Sequence, residues 1–126
     1  MASTLDGAGQ IKMAALEDAH GQLQRVHGIV ERLAIAVRCG QDTGAFRMQL
    51  QRAAAPLVGL LKPQFGMIAD QVSGLILISS RAGAAQVKLR ALRESVAHVR
   101  TQLDIAVAKV RERHAVAASG DASAGA

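Results

Sequence analysis

The chain has 126 residues, with 15 Lys and Arg against 10 Asp and Glu, a length that fits one domain of ordinary size. Half of the residues are hydrophobic, alanine is the commonest of them, and only 2% of the chain is aromatic. This composition favours closely packed helices and excludes an all-β fold, which needs β-branched and aromatic residues. The single Cys excludes an intrachain disulfide and a zinc site built from cysteines alone.

The sequence shows no targeting or membrane-spanning pattern. Residues 1–10 lack the basic and apolar regions of a secretory signal. The most apolar stretch, residues 67–80, contains Asp70 and Gln71 and is shorter than the ~20 apolar residues that span a bilayer. We therefore expect a cytoplasmic protein with no membrane partner. Small and polar residues at the ends predict a flexible N-terminal tail (1–8) and a disordered C-terminal tail (115–126) around a helical bundle domain (9–114).

The first segment has hydrophobic residues at alternating steps of three and four. This period is typical of a helix that packs against a neighbour along its length, and it predicts a helix from near Asp6 to Cys39. Gly40 then stands where a left-handed C-terminal cap is needed, and Asp42 or Thr43 is placed to cap the next helix. The residues of this apolar seam are Leu16, Ala19, Leu23, Val26, Val30, Leu33 and Val37.

The last segment repeats the pattern and predicts a second long helix over about residues 84 to 114. A short turn at residues 81–83 precedes it, as expected between antiparallel neighbours. The seam residues here are Leu89, Leu92, Val96, Val99, Leu103, Ala106 and Val110.

The middle segment, residues 43–80, is helical in pattern, but prolines and glycines interrupt it. An interior proline costs ~3 kcal/mol, so we expect a break or kink near Lys62 and Pro63. One kinked helix would give an antiparallel bundle of three long helices, whereas a new helix at Pro63 would give four helices, the middle two about half as long as the outer two. We favour three, because two short helices would leave the far halves of the long ones uncovered.

One stretch, Leu75, Ile76, Leu77 and Ile78, is apolar on every side of its helix. At least one face of it would meet solvent unless a fourth helix or a second copy of the chain covers it. We predict that these four residues form the interface of a dimer or higher oligomer.

The positive charge is concentrated in the last helix, where eight Lys and Arg stand against three Asp and Glu between Arg81 and Arg113. Arg90, Arg93, Arg100 and Arg111 flank the apolar seam and could form a basic stripe about 30 Å long. Such a stripe would suit an acidic protein or the phosphates of a nucleic acid duplex. Without Trp or Tyr there is little with which to stack single-stranded bases.

Motifs of catalysis or metal binding are weak. Glu17 and His20 have the spacing of a di-iron ligand pair, and His27 follows one heptad later, but a second Glu-x-x-His pair is missing from the sequence. There is no phosphate-binding glycine loop after a strand and no nucleophile elbow. We therefore expect no enzyme activity, no cofactor and no metal, and treat a metal protein centred on Glu17, His20 and His27 as the third hypothesis.

Residues 68–77 (IADQVSGLIL), the turn Arg81-Ala82-Gly83 and the returning Val87-Lys88 with Leu92 resemble the cytoplasmic signalling hairpin of bacterial chemoreceptors. The resemblance covers about residues 68–92. Gly74 replaces a leucine of that family, and the residues with which the family contacts its kinase and coupling protein are absent. The resemblance implies a helical hairpin that assembles with copies of itself and relays a signal by contact.

The sequence as a whole thus indicates an all-α, antiparallel helical bundle. We expect a small, non-enzymatic adaptor, regulatory or assembly protein that associates with itself and with another protein. The alternative is a basic architectural protein that binds the backbone of duplex nucleic acid through the four arginines.

Overall fold

The chain folds into four α-helices, and the computed structural model describes residues 5–115. Helix α1 spans Gly7–Arg38, α2 spans Gly44–Leu61, α3 spans Gly66–Ser80 and α4 spans Ala85–His114. Within residues 5–115 no β-strand occurs, and the sole β-type contact is an isolated antiparallel bridge between Leu5 and Ala115. The predicted all-α bundle is confirmed.

Each helix packs against the next one in the chain, and α4 returns to α1, so the four helices surround one core. Helices α1 and α4 run antiparallel along their whole length, because Arg93 reaches Glu31 near one end and His114 reaches Asp6 at the other. Residues of all four helices meet where α1 turns into α2 and α3 turns into α4. We call this the closed end of the bundle.

The core consists of the apolar seams that the sequence predicts. Every seam residue of α1 and α4 is buried except Val37 and Leu89, which are half-buried. The middle segment contributes nine core residues, and the polar one among them, Ser79, donates its hydroxyl proton to the carbonyl of Ile76 at 2.6 Å. These nine are Leu50, Ala54, Leu57, Leu61, Ile68, Ala69, Val72, Leu75 and Ser79.

The end of α1 has the glycine cap that the sequence predicts. Gly40 has a φ of +67°, a conformation that costs other residues ~1–2 kcal/mol. The N–H of Gln41 donates to the carbonyl of Ala36 at 2.8 Å, and the N–H of Gly40 donates to Val37 at 3.2 Å. These two bonds form a Schellman motif, which satisfies carbonyls at the helix end.

The first turns of α1 and α2 each donate a backbone N–H to an aspartate side chain. Asp6 accepts the N–H of Gly9 at 2.6 Å and so caps α1. At α2, Thr43 occupies the cap position without a side-chain hydrogen bond, and Asp42 accepts the N–H of Gly44 at 3.0 Å instead. Helix α1 therefore begins at Gly7, inside the stretch predicted as a flexible tail. The rest of the two predicted tails, residues 1–4 and 116–126, lies outside the described residues.

The favoured arrangement of three long helices is wrong, and the four-helix alternative is the one that forms. The break lies where it is predicted: α2 ends at Leu61, the chain turns through residues 62–65, and α3 begins at Gly66. Pro56, in contrast, lies inside α2 on an exposed turn, where water can replace the hydrogen bond that its ring removes.

The helices differ greatly in length. At ~1.5 Å per residue, the 32 residues of α1 span about 48 Å, and the 15 residues of α3 span about 22 Å. Because α3 and α4 leave the same turn, α3 can accompany only about half of the 30 residues of α4. The far ends of α1 and α4 therefore extend past the α2–α3 pair. We call this the open end of the bundle.

Candidate binding site

The predicted interface on α3 is mostly covered within the fold. Leu75 is fully buried, and Ile76 and Ile78 are half-buried against the core. Only Leu77 of the four is largely accessible, with 59% of its surface exposed. The packing of four helices thus covers most of the apolar surface of residues 75–78.

Arg93, a member of the predicted basic stripe, forms a bidentate ion pair with α1. Its Nε donates to Oε2 of Glu31 at 3.0 Å, and its Nη2 donates to Oε1 at 2.9 Å. The hydrogen bonds from Arg93 hold the pKa of Glu31 below its ordinary value, and those to Glu31 raise the pKa of the guanidinium. The positive charge of Arg93 is therefore largely balanced by a carboxylate of the same chain.

Two further arginines of the stripe also lie along the boundary with α1. Arg100 donates to the side-chain oxygen of Gln24 at 3.3 Å. Arg111 borders a shallow depression together with Glu17 and Asp104. The fourth, Arg90, is exposed on α4. The four side chains are thus interspersed with carboxylates and amides of both helices and do not form a uniformly basic surface.

The residues of the metal hypothesis are not brought together as a ligand set. His20 contacts Asp104, with 3.5 Å between Nε2 and Oδ1, and Glu17 lines the same depression. His27 lies farther along α1, close enough to Glu31 for its charge to help lower the pKa of that carboxyl. Among residues 5–115, no group of three His, Cys, Asp or Glu is arranged to hold a metal ion.

A groove of about 410 Å³ lies at the open end, between the α2–α3 turn and the last turns of α4. We call it the open-end groove. Met67 and Ile105, two of its apolar lining residues, are 81% and 43% exposed, and Phe65 at the turn is half-buried. A partner could therefore reach these side chains directly. The groove is lined by Lys12, Gln64, Phe65, Gly66, Met67, Ile68, Gln102, Ile105, Ala106, Lys109, Val110, Arg113 and His114.

The ionisable side chains that line the open-end groove are all basic. Lys12 comes from α1, Lys109 and Arg113 come from successive turns of α4, and His114 ends that helix. Within the part of the chain that the structure describes, no carboxylate lines the groove. The groove therefore differs in charge from the surface around Arg93, Arg100 and Arg111, where acidic residues of α1 and α4 lie among the arginines.

Two of the lining residues, Lys12 and His114, belong to a hydrogen-bonded chain of three polar residues whose third member, Asp6, lies behind the groove lining. Lys12 Nζ lies 3.3 Å from Nε2 of His114, and Nδ1 of His114 lies 3.1 Å from Oδ1 of Asp6. Because the Lys12 ammonium can only donate, Nε2 accepts and Nδ1 carries the proton that Asp6 accepts. The bond from the N–H of Gly9, and after it the bond from His114, hold the pKa of Asp6 below its ordinary value.

This groove was not among the sites predicted from the sequence, although the sequence holds a signal for it. Lys12 lies four residues before Leu16, and His114 lies four residues after Val110. Both therefore occupy positions that continue an apolar seam, and both are polar. The start of α1 and the end of α4 lie at the same end of the bundle. A change from apolar to basic residues in both seams at that end indicates where the apolar core ends.

No family model, curated protein or solved structure matches this chain. None of the four helices within residues 5–115 has both the length and the apolar character needed to cross a membrane.

Proposed function

We propose that this chain is a small adaptor protein that acts by binding other proteins. The observation that carries the proposal is the open-end groove, where Met67 and Ile105 offer apolar surface to solvent beside basic side chains. Exposed apolar residues with a polar border are typical of protein-binding surfaces. Methionine suits such a surface because its flexible side chain adapts to different partners.

The chemistry of the lining favours binding over catalysis. No hydroxyl, thiol or carboxylate side chain lines the open-end groove among residues 5–115. His114 is the lining residue of the type that most often serves as a general base, and both of its ring nitrogens already face Lys12 and Asp6. A role without catalysis is consistent with this arrangement.

The adaptor proposal is tested with partners that are first identified and then purified. Proteins retained from a cell extract by the immobilised chain are identified by mass spectrometry, purified and titrated calorimetrically. We expect the double variant Met67→Asp/Ile105→Asp to lose binding, because it places two carboxylates on the apolar surface. Met48→Asp, at a 57% exposed site on α2, is the matched control and should bind as the unaltered chain does. If no purified partner binds, or if the double variant binds equally well while remaining helical, the proposal fails.

We also propose that copies of the chain associate through the outer surface of α3 and α4 near their turn. Leu77 is 59% exposed and Val87 is 70% exposed, and Val87 and Ile78 line one depression of about 140 Å³. Size exclusion with light scattering tests this proposal. We expect a dimer or larger species that Leu77→Asp converts to a monomer, whereas Met48→Asp leaves its mass unchanged. A monomeric unaltered chain would contradict the proposal.

Binding to duplex nucleic acid remains the second proposal for the arginines, with less support. Arg93 and Arg100 already contact Glu31 and Gln24, and binding to phosphates would have to displace these partners. Because the chain has no Trp or Tyr, copurified nucleic acid would dominate its ultraviolet spectrum. A strong band at about 260 nm that disappears at high salt would favour this function over the adaptor.

A further inference from the structure

The open-end groove lies at a position where no further helix of residues 5–115 covers α1 and α4. At the closed end, α2 and α3 cover the boundary between α1 and α4. At the open end, α4 continues from Ala106 to His114, about 12 Å, where α3 is too short to follow. Lys12 and Ile105 remain beside the groove on either side of this boundary. A helix from another molecule would extend the packing of the bundle over this stretch, as amphipathic helices do in apolar grooves.

The charges around the groove indicate the chemistry of that helix. Lys109 and Arg113 are four residues apart and therefore lie on one side of α4, one turn above the other. Acidic residues three or four apart on a second helix have the same spacing. Since Met67 and Ile105 supply apolar surface next to these cations, the fitting partner has an apolar face with a row of acidic residues along its edge.

A second copy of this chain does not offer such a helix. Its carboxylates are scattered, and the one adjacent pair in the sequence is Glu17 and Asp18. Glu17 already borders the depression that contains Arg111. The acidic helix must therefore come from a different protein.

We propose that the open-end groove binds one acidic amphipathic α-helix of a partner protein. The apolar face of that helix packs on Met67 and Ile105, and its acidic edge lies beside Lys109 and Arg113. This inference rests on the adaptor function proposed above and names the class of partner segment.

The experiment uses the full chain and two synthetic helical peptides with the same Leu-rich face. One peptide has glutamates along the edge of that face, the other has glutamines in their place, and each contains one Trp. Because the chain itself has no Trp or Tyr, the fluorescence of the peptide reports binding without interference. In parallel, methyl NMR follows Met67 in the groove and Met48 on α2 as an internal control. We expect the acidic peptide to bind at least about tenfold more tightly and to shift the Met67 signal alone.

The charge contribution is tested with a matched pair of substitutions on α4. Arg113→Glu reverses a charge in the groove, and Arg90→Glu makes the same change at an exposed position outside it. We expect Arg113→Glu to weaken the acidic peptide about tenfold or more, and Arg90→Glu to change its affinity by less than about threefold. Circular dichroism of both variants verifies that they remain helical.

Three results would overturn the inference. If the glutamine peptide binds as tightly as the glutamate peptide, acidic residues do not contribute to binding and that part of the proposal is wrong. Binding of tetradecanoate with a shift of Met67, in the absence of peptide binding, would assign the groove to small anionic amphiphiles. If neither peptide binds while a purified partner still requires Met67 and Ile105, the adaptor function stands and the acidic helix is wrong. If no purified partner binds either, the adaptor function fails as well.

Discussion

At Gly9 the beginning of α1 packs closely against the end of α4. It is buried, and a Cβ atom at this position would collide with Cβ of His114. That atom belongs to the fixed base of its side chain, so the backbones themselves would have to separate. The close approach also allows Asp6 and Lys12 to reach the imidazole from either side.

We therefore predict that Gly9→Ala destabilises the protein, by about 1–3 kcal/mol, because overpacking forces the two helix ends apart. The control is Gly28→Ala, in the exposed interior of the same helix with open space around the Cβ position. That change should stabilise the protein by about 0.5–1 kcal/mol through helix propensity. Urea unfolding measures both, and a stabilising effect of Gly9→Ala would show that the helix ends are not in close contact.

The ion pair between Glu31 and Arg93 makes a second prediction at the residue scale. The folded pKa of Glu31 is lowered, so its contribution to stability is fully present above its ordinary value of 4.5 and is lost as the pH falls through the folded value. We expect the urea midpoint to decrease over this acidic range, and Glu31→Gln to reduce that decrease. Both side chains are substantially exposed, so salt should weaken the effect.

The control for this pH dependence is Glu94→Gln, which removes an exposed carboxylate from α4. If this variant alters the acidic part of the stability profile as much as Glu31→Gln does, the profile reports general charge and not the pair.

At the scale of the helices, the turn from α1 to α2 depends on one backbone conformation. Gly40 is held at a positive φ by the Schellman motif. We predict that Gly40→Ala costs about 1–2 kcal/mol of folding free energy, because a Cβ strains this conformation. The comparison is Gly59→Ala at an exposed position in the last turn of α2, with open space around the Cβ position, which should be neutral or stabilising. Equal free energies of unfolding for the two variants would contradict the role of the cap.

The sequence predicts the helices well because their seams and caps are local signals. The predicted ends of α1 and α4 agree with Gly7–Arg38 and Ala85–His114 to within about two residues. It does not decide whether Pro63 bends one helix or separates two, because a proline has both effects and the choice depends on tertiary packing. The prediction of three helices assumes that α1 and α4 are covered along their full length. In the structure, the far ends of both helices extend past the shorter α2 and α3.

The site could not be predicted for the same reason. The predicted interface at Leu75–Ile78 is defined by composition alone, and the packing of four helices covers most of it. The open-end groove depends on the difference in length between α3 and α4, which follows only from the position of the helix break. Lys12 and His114 mark its place in the sequence, but only once the two seams are known to lie side by side.

At the scale of the whole molecule, the two ends of the bundle should differ in local stability. Leu92 lies where residues of all four helices meet, whereas the last turns of α4 around Val110 extend past the shorter α3, although both side chains are buried. We predict that amides of the last turns of α4 exchange with solvent faster than those around Leu92 to Leu103. Hydrogen exchange followed by mass spectrometry measures this difference, and uniform protection along α4 would contradict it.

The bridge between Leu5 and Ala115 brings the two ends of the described chain together beside the open end. Because residues 5 and 115 are neighbours, a host protein could carry the bundle between them as an insertion in one of its own surface turns without that turn being stretched. By the same geometry, a circular permutant in which residue 115 is joined to residue 5 and the chain is cut at residues 81–84 should keep all four helices. In such an insertion the two junctions with the host would lie beside the open-end groove. A partner bound in the groove would then be held close to the surface of the host protein.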